Sequence, residues 1–285
     1  MSSILSVNGL SKRYKTFSLN KVTFEVPSGY IMGFIGPNGA GKTTTIKSIL
    51  NLVNRDAGSV SFRDVELTID GNSRIGVVMD NPLFCDDWTL KQVESVLAPF
   101  YTNWDSKKYH QLLKEFSLSA DLKVKELSRG MKVKLQIAAA LSHDADLLIL
   151  DEPTSGLDPV ARDEICDLLR EFVVDERKSV LFSTHITADL EKTADFITFI
   201  LNGSIIFSGS REDLLEKYAR VTGGLTDLNP EQQALVIGWR EHPTGFEGIV
   251  KTSDISRLPG SVLVEQPTLD EIIIYMNREA SKWAS

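Results

Sequence analysis

An apolar run, Tyr30-Ile-Met-Gly-Phe-Ile35, leads straight into Gly36-Pro-Asn-Gly-Ala-Gly41-Lys42-Thr43, and Ile46, Ile49, Leu50 and Val53 follow at helical spacing. A buried strand, a glycine-rich loop and a helix in that order constrain the fold more than any other segment. The glycines let the backbone curl until several N–H groups face one point, and the helix adds its positive N-terminal end there. Gly36, Pro37, Asn38, Gly39, Ala40, Gly41, Lys42, Thr43 and Thr44 are therefore expected to cradle the phosphates of a nucleotide. Lys42 supplies a point charge for the β- and γ-phosphates, and the Thr43 hydroxyl offers an oxygen to Mg²⁺. The alternative is a chance glycine-rich turn; the strand before the loop and the helix after it weigh against that. A phosphate loop alone leaves GTPases, kinases and motor ATPases open.

The rest of the chain alternates between strands and helices. Ile4, Leu5 and Val7 read as a strand ending in a turn near Asn8-Gly9, and Val22, Phe24 and Val26 alternate as in a half-buried strand. Residues 74–79 read as another strand. From Asn81 to about Leu127 the pattern turns helical: Leu90, Val93, Val96, Leu97 and Phe100 fit one face, and Tyr109, Leu112, Leu113 and Phe116 fit another. Strand cores return at Leu147–Leu150 and Val180–Phe182, with a helix marked by Ile165, Leu168, Leu169 and Phe172 between them. Phe196–Leu201 and Ser204–Phe207 form a hairpin turned at Asn202-Gly203. Such alternation predicts a layered α/β fold with a largely parallel central sheet. Past about Arg220, glycines and prolines punctuate short strands (Ala234–Trp239, Ser261–Val264) before a last helix. That helix carries a Thr268/Glu271 capping box and an apolar stripe of Leu269, Ile272, Ile273, Met276, Ala280 and Trp283.

Leu147-Leu-Ile-Leu150 ends in Asp151-Glu152-Pro153. An acid at the tip of a buried strand can hold Mg²⁺ through water, the role expected of Asp151, while Glu152 can orient or deprotonate an attacking water. A solvated acidic turn is the alternative, and four apolar residues running into the acids weigh against it.

In chain order stand the phosphate loop at 36–43, Leu127-Ser-Arg-Gly-Met131, Leu147 to Pro153, Ser155-Gly-Leu-Asp158 and Ser183-Thr-His185. In order and interval this set resembles the nucleotide-binding domains of ABC transporters, over residues 2 to about 220. The resemblance implies a P-loop NTPase of the ABC ATPase fold over 1–220, with an inserted helical subdomain at about 81–128 and a small C-terminal α+β accessory domain at 221–285. It implies that Tyr14 stacks on adenine, and that Ser128 and Gly130 complete the ATP site of an opposite subunit. It also implies that Asp158 lies in a loop crossing the dimer interface and that His185 contacts the γ-phosphate. Lys42, Glu152 and His185 then form the hydrolytic set, and Thr43, Asp151 and Asp80 the Mg²⁺ set.

Two positions depart from the family pattern. After Ser128 the usual Gly-Gly-Gln is Arg129-Gly130-Met131, which brings a cation close to where phosphate should sit, either to help bind ATP or to face solvent. The strand at 74–79 ends on Asp80 where the family carries a Mg²⁺-contacting Gln; Asp also offers oxygen, with an extra charge and a shorter reach. With Thr102-Asn-Trp104 and Pro267-Thr-Leu-Asp-Glu271, these variants resemble the exporter ATPases of the bacitracin-resistance and phenol-soluble-modulin type.

The implied partners are a separate membrane permease and a second ATPase subunit, a homodimer being favoured over the alternative of a heterodimer. A net charge of −8 argues against nucleic acid, which needs clustered cations. No apolar run approaches the roughly 20 residues that cross a bilayer, and Met1–Tyr14 shows no signal-peptide pattern. Cys85 and Cys166 have no metal or disulfide spacing and read as reduced thiols. The expected location is cytoplasmic, on the inner face of the membrane through the permease, which is also the expected contact of the Asp80–Trp88 region. The rival reading is a soluble ABC ATPase acting on ribosomes or DNA. Those usually carry two cassettes or long insertions, and neither is present.

Overall fold

The alternation near the N-terminus becomes an antiparallel pair, β1 (Ser3–Arg13) and β2 (Ser18–Pro27), in the computed structural model, which describes residues 2–68, 73–80 and 84–282. Asn8-Gly9 is not a turn: β1 continues through it, with its register shifted between Val7 and Leu10 and Gly9 at φ 61°. The extra length is absorbed as a bulge. β3 (Ile31–Ile35) is buried at every residue and delivers the chain to α1 (Lys42–Ile49). β4 (Ala57–Phe62) and β5 (Val65–Glu66) complete a four-stranded sheet in the order β2-β1-β4-β5.

A second sheet is assembled from distant segments: β6 (Ile75–Val78), β7 (Leu147–Asp151), β8 (Ser179–Thr184), β9 (Phe196–Leu201) and β10 (Ser204–Ser210) join β3 in the order β10-β9-β3-β8-β7-β6. The pairings β9-β3-β8-β7-β6 are all parallel. The turn from β9 to β10 is Asn202-Gly203, both left-handed at φ 48° and 75°, as a two-residue hairpin demands. α5 (Pro159–Phe172) and α6 (Thr187–Thr193) connect the later strands. One core joins the two sheets, with Leu5, Val22, Phe34, Ile46, Leu147 and Ile200 among its members.

Between β6 and β7 the chain makes α2 (Leu90–Leu97), α3 (Ser106–Glu115) and α4 (Arg129–Leu141). These share a separate core of Leu90, Val93, Tyr109, Leu113, Leu135 and Ala138. The expected α2 face holds at Leu90 and Val93 but not at its end: α2 stops at Leu97, Pro99 sits in a 3₁₀ turn, and Phe100 is 78% exposed.

The chain divides into two compact units, Met1–Ser208 and Gly209–Ser285. The second holds α7 (Arg211–Lys217), β11 (Tyr218–Gly223), α8 (Pro230–Gln233), β12 (Ile237–His242), β13 (Gly245–Lys251), β14 (Leu263–Glu265) and α9 (Leu269–Lys282). Its antiparallel sheet runs β12-β13-β11-β14, with α9 packed on β12 and β13. The strand expected at Ala234–Trp239 begins later, at Ile237, because Asn229 and Gln232 cap the single turn of α8 ahead of it. The Thr268/Glu271 capping box is formed, at 2.9 and 3.2 Å. The buried face of α9 is Leu269, Ile272 and Tyr275; Ile273 and Met276 flank it half-buried, and Trp283 lies outside the described residues.

Candidate functional site

The loop after β3 owes its path to two glycines. A Cβ on Gly36 would come within 2.3 Å of the Ile200 carbonyl oxygen, and Gly41, the residue before α1, has φ 114°. Any side chain at either position would push the loop off β9 or strain it. The loop thus closes over the N-terminus of α1, whose first N–H groups have no helical partner and favour an anion. Lys42 is 5% exposed; its Nζ donates to the carbonyls of Gly36 (2.7 Å) and Pro37 (3.4 Å) and pairs with Glu152 Oε1 at 3.1 Å.

Parallel pairing brings the acids to this point. Asp151 ends β7 and faces Ser183 in β8. The Ser183 hydroxyl donates to Asp151 Oδ1 (2.7 Å) and accepts from the Glu152 N–H (3.1 Å), so one side chain orients both acids. Glu152 sits at φ 52°, a left-handed conformation that costs a non-glycine residue energy. Its second oxygen lies 2.7 Å from His185 Nδ1. Glu152 is therefore held between the loop lysine and the histidine that follows β8.

These residues border a cleft of about 650 Å³ lined by Thr16, Phe17, Asn38, Gly39, Gly41, Lys42, Thr43, Thr44, Asp80, Glu152, Ser155 and His185. A second cavity, about 250 Å³, shares Thr43, Asp80 and Glu152 with it and adds Asp151, Lys47, Leu52 and Met79. Thr43, Asp80 and Asp151 thus present hard oxygen donors to one space, which fits Mg²⁺. Among the described residues no three acidic, His or Cys side chains converge into a metal cage of their own.

Tyr14 is 45% exposed, carries Lys12 over its ring at 5.8 Å, and does not line the cleft. Its N–H donates to the Phe17 carbonyl across a short turn, and it is Phe17 that faces the cleft, against Gly41. Ser128, Gly130 and Asp158 lie outside the cleft lining. Ser128 caps α4 by accepting from the Met131 N–H at 3.3 Å. Gly130 packs beside Ala161 and Leu157. Asp158 caps α5 through the N–H groups of Val160 and Ala161, and these bonds, that from Ala161 foremost, hold its carboxyl below the usual range. Thr16, Phe17 and Gln136 belong to no motif read in the sequence, and Ser183 appears there only as the first residue of the Ser183-Thr-His185 segment. The Gln136 amide brackets Met79, accepting from its N–H at 3.0 Å and donating to its carbonyl at 3.1 Å, and so clips α4 to the strand end before Asp80.

A phosphate loop backed by two strand-end acids and a histidine on a parallel sheet defines a P-loop ATPase. Known proteins place it more narrowly. The ABC transporter family profile matches residues 19–155. The chain is 37% identical over 207 residues to the Nod factor export ATP-binding protein I of Burkholderia lata, covering 70% of this chain and 67% of that protein. It is 35% identical over 205 residues to the lantibiotic transport ATP-binding protein SrtF of Streptococcus pyogenes, covering 71% and 89%. A solved ATP-binding subunit of an ABC transporter superposes with a TM-score of 0.64 at 30% identity, covering 74% of this chain and 92% of that one. The chain belongs to the ABC transporter family, as an ATP-binding subunit with the family's ATPase domain. Among the described residues no helix is long and apolar enough to cross a membrane.

Proposed function

We propose that this chain dimerises around two Mg-ATP and uses their hydrolysis to drive export through a separate membrane permease. The observation that carries the reading is Glu152 held between Lys42 and His185 at the mouth of the phosphate loop. Both partners are cations or hydrogen-bond donors suited to a γ-phosphate. When ATP takes Lys42 and His185, Glu152 gives up both contacts and is free to accept a proton from water. The water oxygen then attacks the γ-phosphorus, the bond to the β–γ bridging oxygen breaks, and ADP and phosphate leave. Mg²⁺, held by Thr43, Asp151 and Asp80, would supply charge neutralisation on the β- and γ-phosphates.

Ser128 and Gly130 at the start of α4 offer a helix N-terminus to ATP bound in a second copy, with Asp158 at the interface. ATP then belongs to both subunits, and its hydrolysis removes the bridge that keeps them closed. Export is supported by the relatives named for lantibiotic transport and Nod factor export; the cargo proposed here is an amphipathic or antimicrobial peptide. The permease would hold the chain on the inner face of the membrane. Its expected contact is the region from Asp80 to Trp88, of which residues 81–83 lie outside the described set. Phe84 and Trp88 pack partly against the helical core, and Phe84 also lines an apolar cleft with Val77, Leu97 and Tyr101. The accessory domain, expected at 221–285, would keep two cassettes near each other between cycles. Co-expression with its permease and affinity capture of the complex tests the assignment: ATP hydrolysis stimulated by the permease supports it, and a chain that never captures the permease refutes it.

A further inference from the structure

The two residues that depart from the family pattern meet in space. The Asp80 carboxylate accepts a hydrogen bond from Arg129 Nη2, forming an ion pair across 49 residues of sequence. Each partner has a second attachment. Asp80 borders the phosphate cleft beside Lys42 and Thr43, and the adjoining cavity beside Asp151. Arg129 is the first residue of α4, next to the Ser128 cap, and its side chain lies over Gly156, where an added Cβ would stand 3.4 Å from Nε. Gln136 holds α4 on Met79 independently of this pair. Breaking the pair therefore needs a side-chain rotation and no movement of α4 from the strand end.

We propose that Asp80 and Arg129 form a latch that Mg²⁺ opens. Without Mg-ATP, Asp80 keeps the Arg129 guanidinium within its own subunit and is neutralised by it. Asp80 shares its cavity with Asp151 and with Glu152, which Lys42 pairs, so an unpaired Asp80 carboxylate there would add negative charge against the phosphates. Mg²⁺ arriving with ATP replaces Arg129 as the counter-charge of Asp80. The released guanidinium, beside Ser128, then reaches the phosphates bound by a second copy of the chain, a step that rests on the dimer reading given above. The side chains are 42% and 48% exposed. A pair this exposed shifts an equilibrium by no more than about fivefold, weak enough for Mg²⁺ to open.

The full-length Glu152→Gln protein, in which ATP persists, supplies the test. Its dimer fraction is measured by light scattering against ATP concentration, with Mg²⁺ and with EDTA. The parent should need severalfold more ATP for half-dimerisation in EDTA. Adding Asp80→Ala, or the isosteric Asp80→Asn, should lower the half-point in EDTA by up to about fivefold, because Arg129 is already free. Adding Arg129→Ala should raise the half-point in both media; in EDTA the Asp80→Ala/Arg129→Ala double variant should lie below Arg129→Ala alone, which leaves Asp80 unpaired, and above Asp80→Ala alone, which keeps the free guanidinium. Fluorescent-nucleotide binding and melting curves verify that each variant folds. If the Asp80 variants in EDTA leave the half-point unmoved or raise it as Arg129→Ala does, the latch is refuted. If the parent never dimerises with ATP, the dimer reading itself fails and the latch falls with it.

Discussion

Replacing Glu152 with Gln should separate nucleotide binding from chemistry, and the geometry gives both magnitudes. The carboxylate has two partners, Lys42 Nζ at 3.1 Å and His185 Nδ1 at 2.7 Å, and is only 14% exposed. Gln keeps the shape and loses the charge. A charge-assisted hydrogen bond is roughly twice as strong as a neutral one, so the contact to Lys42 weakens by about 1 kcal/mol. In the resting protein Glu152 competes with ATP for Lys42, so that loss becomes a gain for ATP of about fivefold in affinity. Turnover moves the other way: without a base to take the proton from water, it should fall by about 10²–10⁴. Titration with a fluorescent ATP analogue measures the first effect and phosphate release under saturating Mg-ATP the second; chromatography with ATP should show a persistent dimer. Turnover within a few-fold of the unaltered protein would sink the assignment of Glu152. Weaker ATP binding would sink the competition argument even if turnover fell.

Phe17→Ala should weaken ATP by about 5- to 150-fold, the range for losing one base–aromatic stack, while Tyr14→Ala should do less; the same titration decides, and the reverse order would restore Tyr14 as the stacking residue. His143 is 2% exposed, stacks on Tyr101 with centroids 4.1 Å apart and binds the Ser73 carbonyl at 3.0 Å; burial depresses its pKa. The unfolded chain then takes up the proton first, so this contribution to stability is complete above pH about 6.5 and is lost as pH falls through the lower folded value; His143→Gln should flatten the decline in melting temperature below that pH. Removing residues 211–285 should leave ATP binding intact and lower turnover at dilute protein, and identical curves of activity against protein concentration would assign the C-terminal unit to something other than tethering.

What could be read from the sequence was whatever rests on spacing within one segment. The strand–loop–helix at 31–49, the apolar run into Asp151 and Glu152, and the Asn202-Gly203 hairpin are local, because each is set by hydrophobic period and glycine conformation. What could not be read depends on pairing between segments. Ser183 opens the Ser183-Thr-His185 segment in the sequence, but its part in orienting the acids appears only when the register of β7 and β8 sets it opposite Asp151. Gln136 looks like a polar position on α4 until the edge of β6 supplies a backbone for it to bracket. Spacing does not tell apart the rings of Tyr14 and Phe17, three residues from each other, because the turn that separates them is closed by a single backbone bond with no sequence signature of its own. The limits of single-segment reading are plainest at Asp80 and Arg129. Taken separately, one adds a negative charge at the proposed Mg²⁺ position and the other a positive charge beside a helix N-terminus that already favours anions, and neither change has an evident reason. Together they form an ion pair, and under the proposed latch each supplies the reason for the other: an acid at that strand end would need a counter-charge whenever Mg²⁺ is absent, and the first residue of α4 is within reach to supply it. On that argument the two positions should change as a pair, and restoring Gln at Asp80 alone should leave Arg129 without its partner and shift the Mg²⁺ dependence of dimerisation in the same direction as Asp80→Ala.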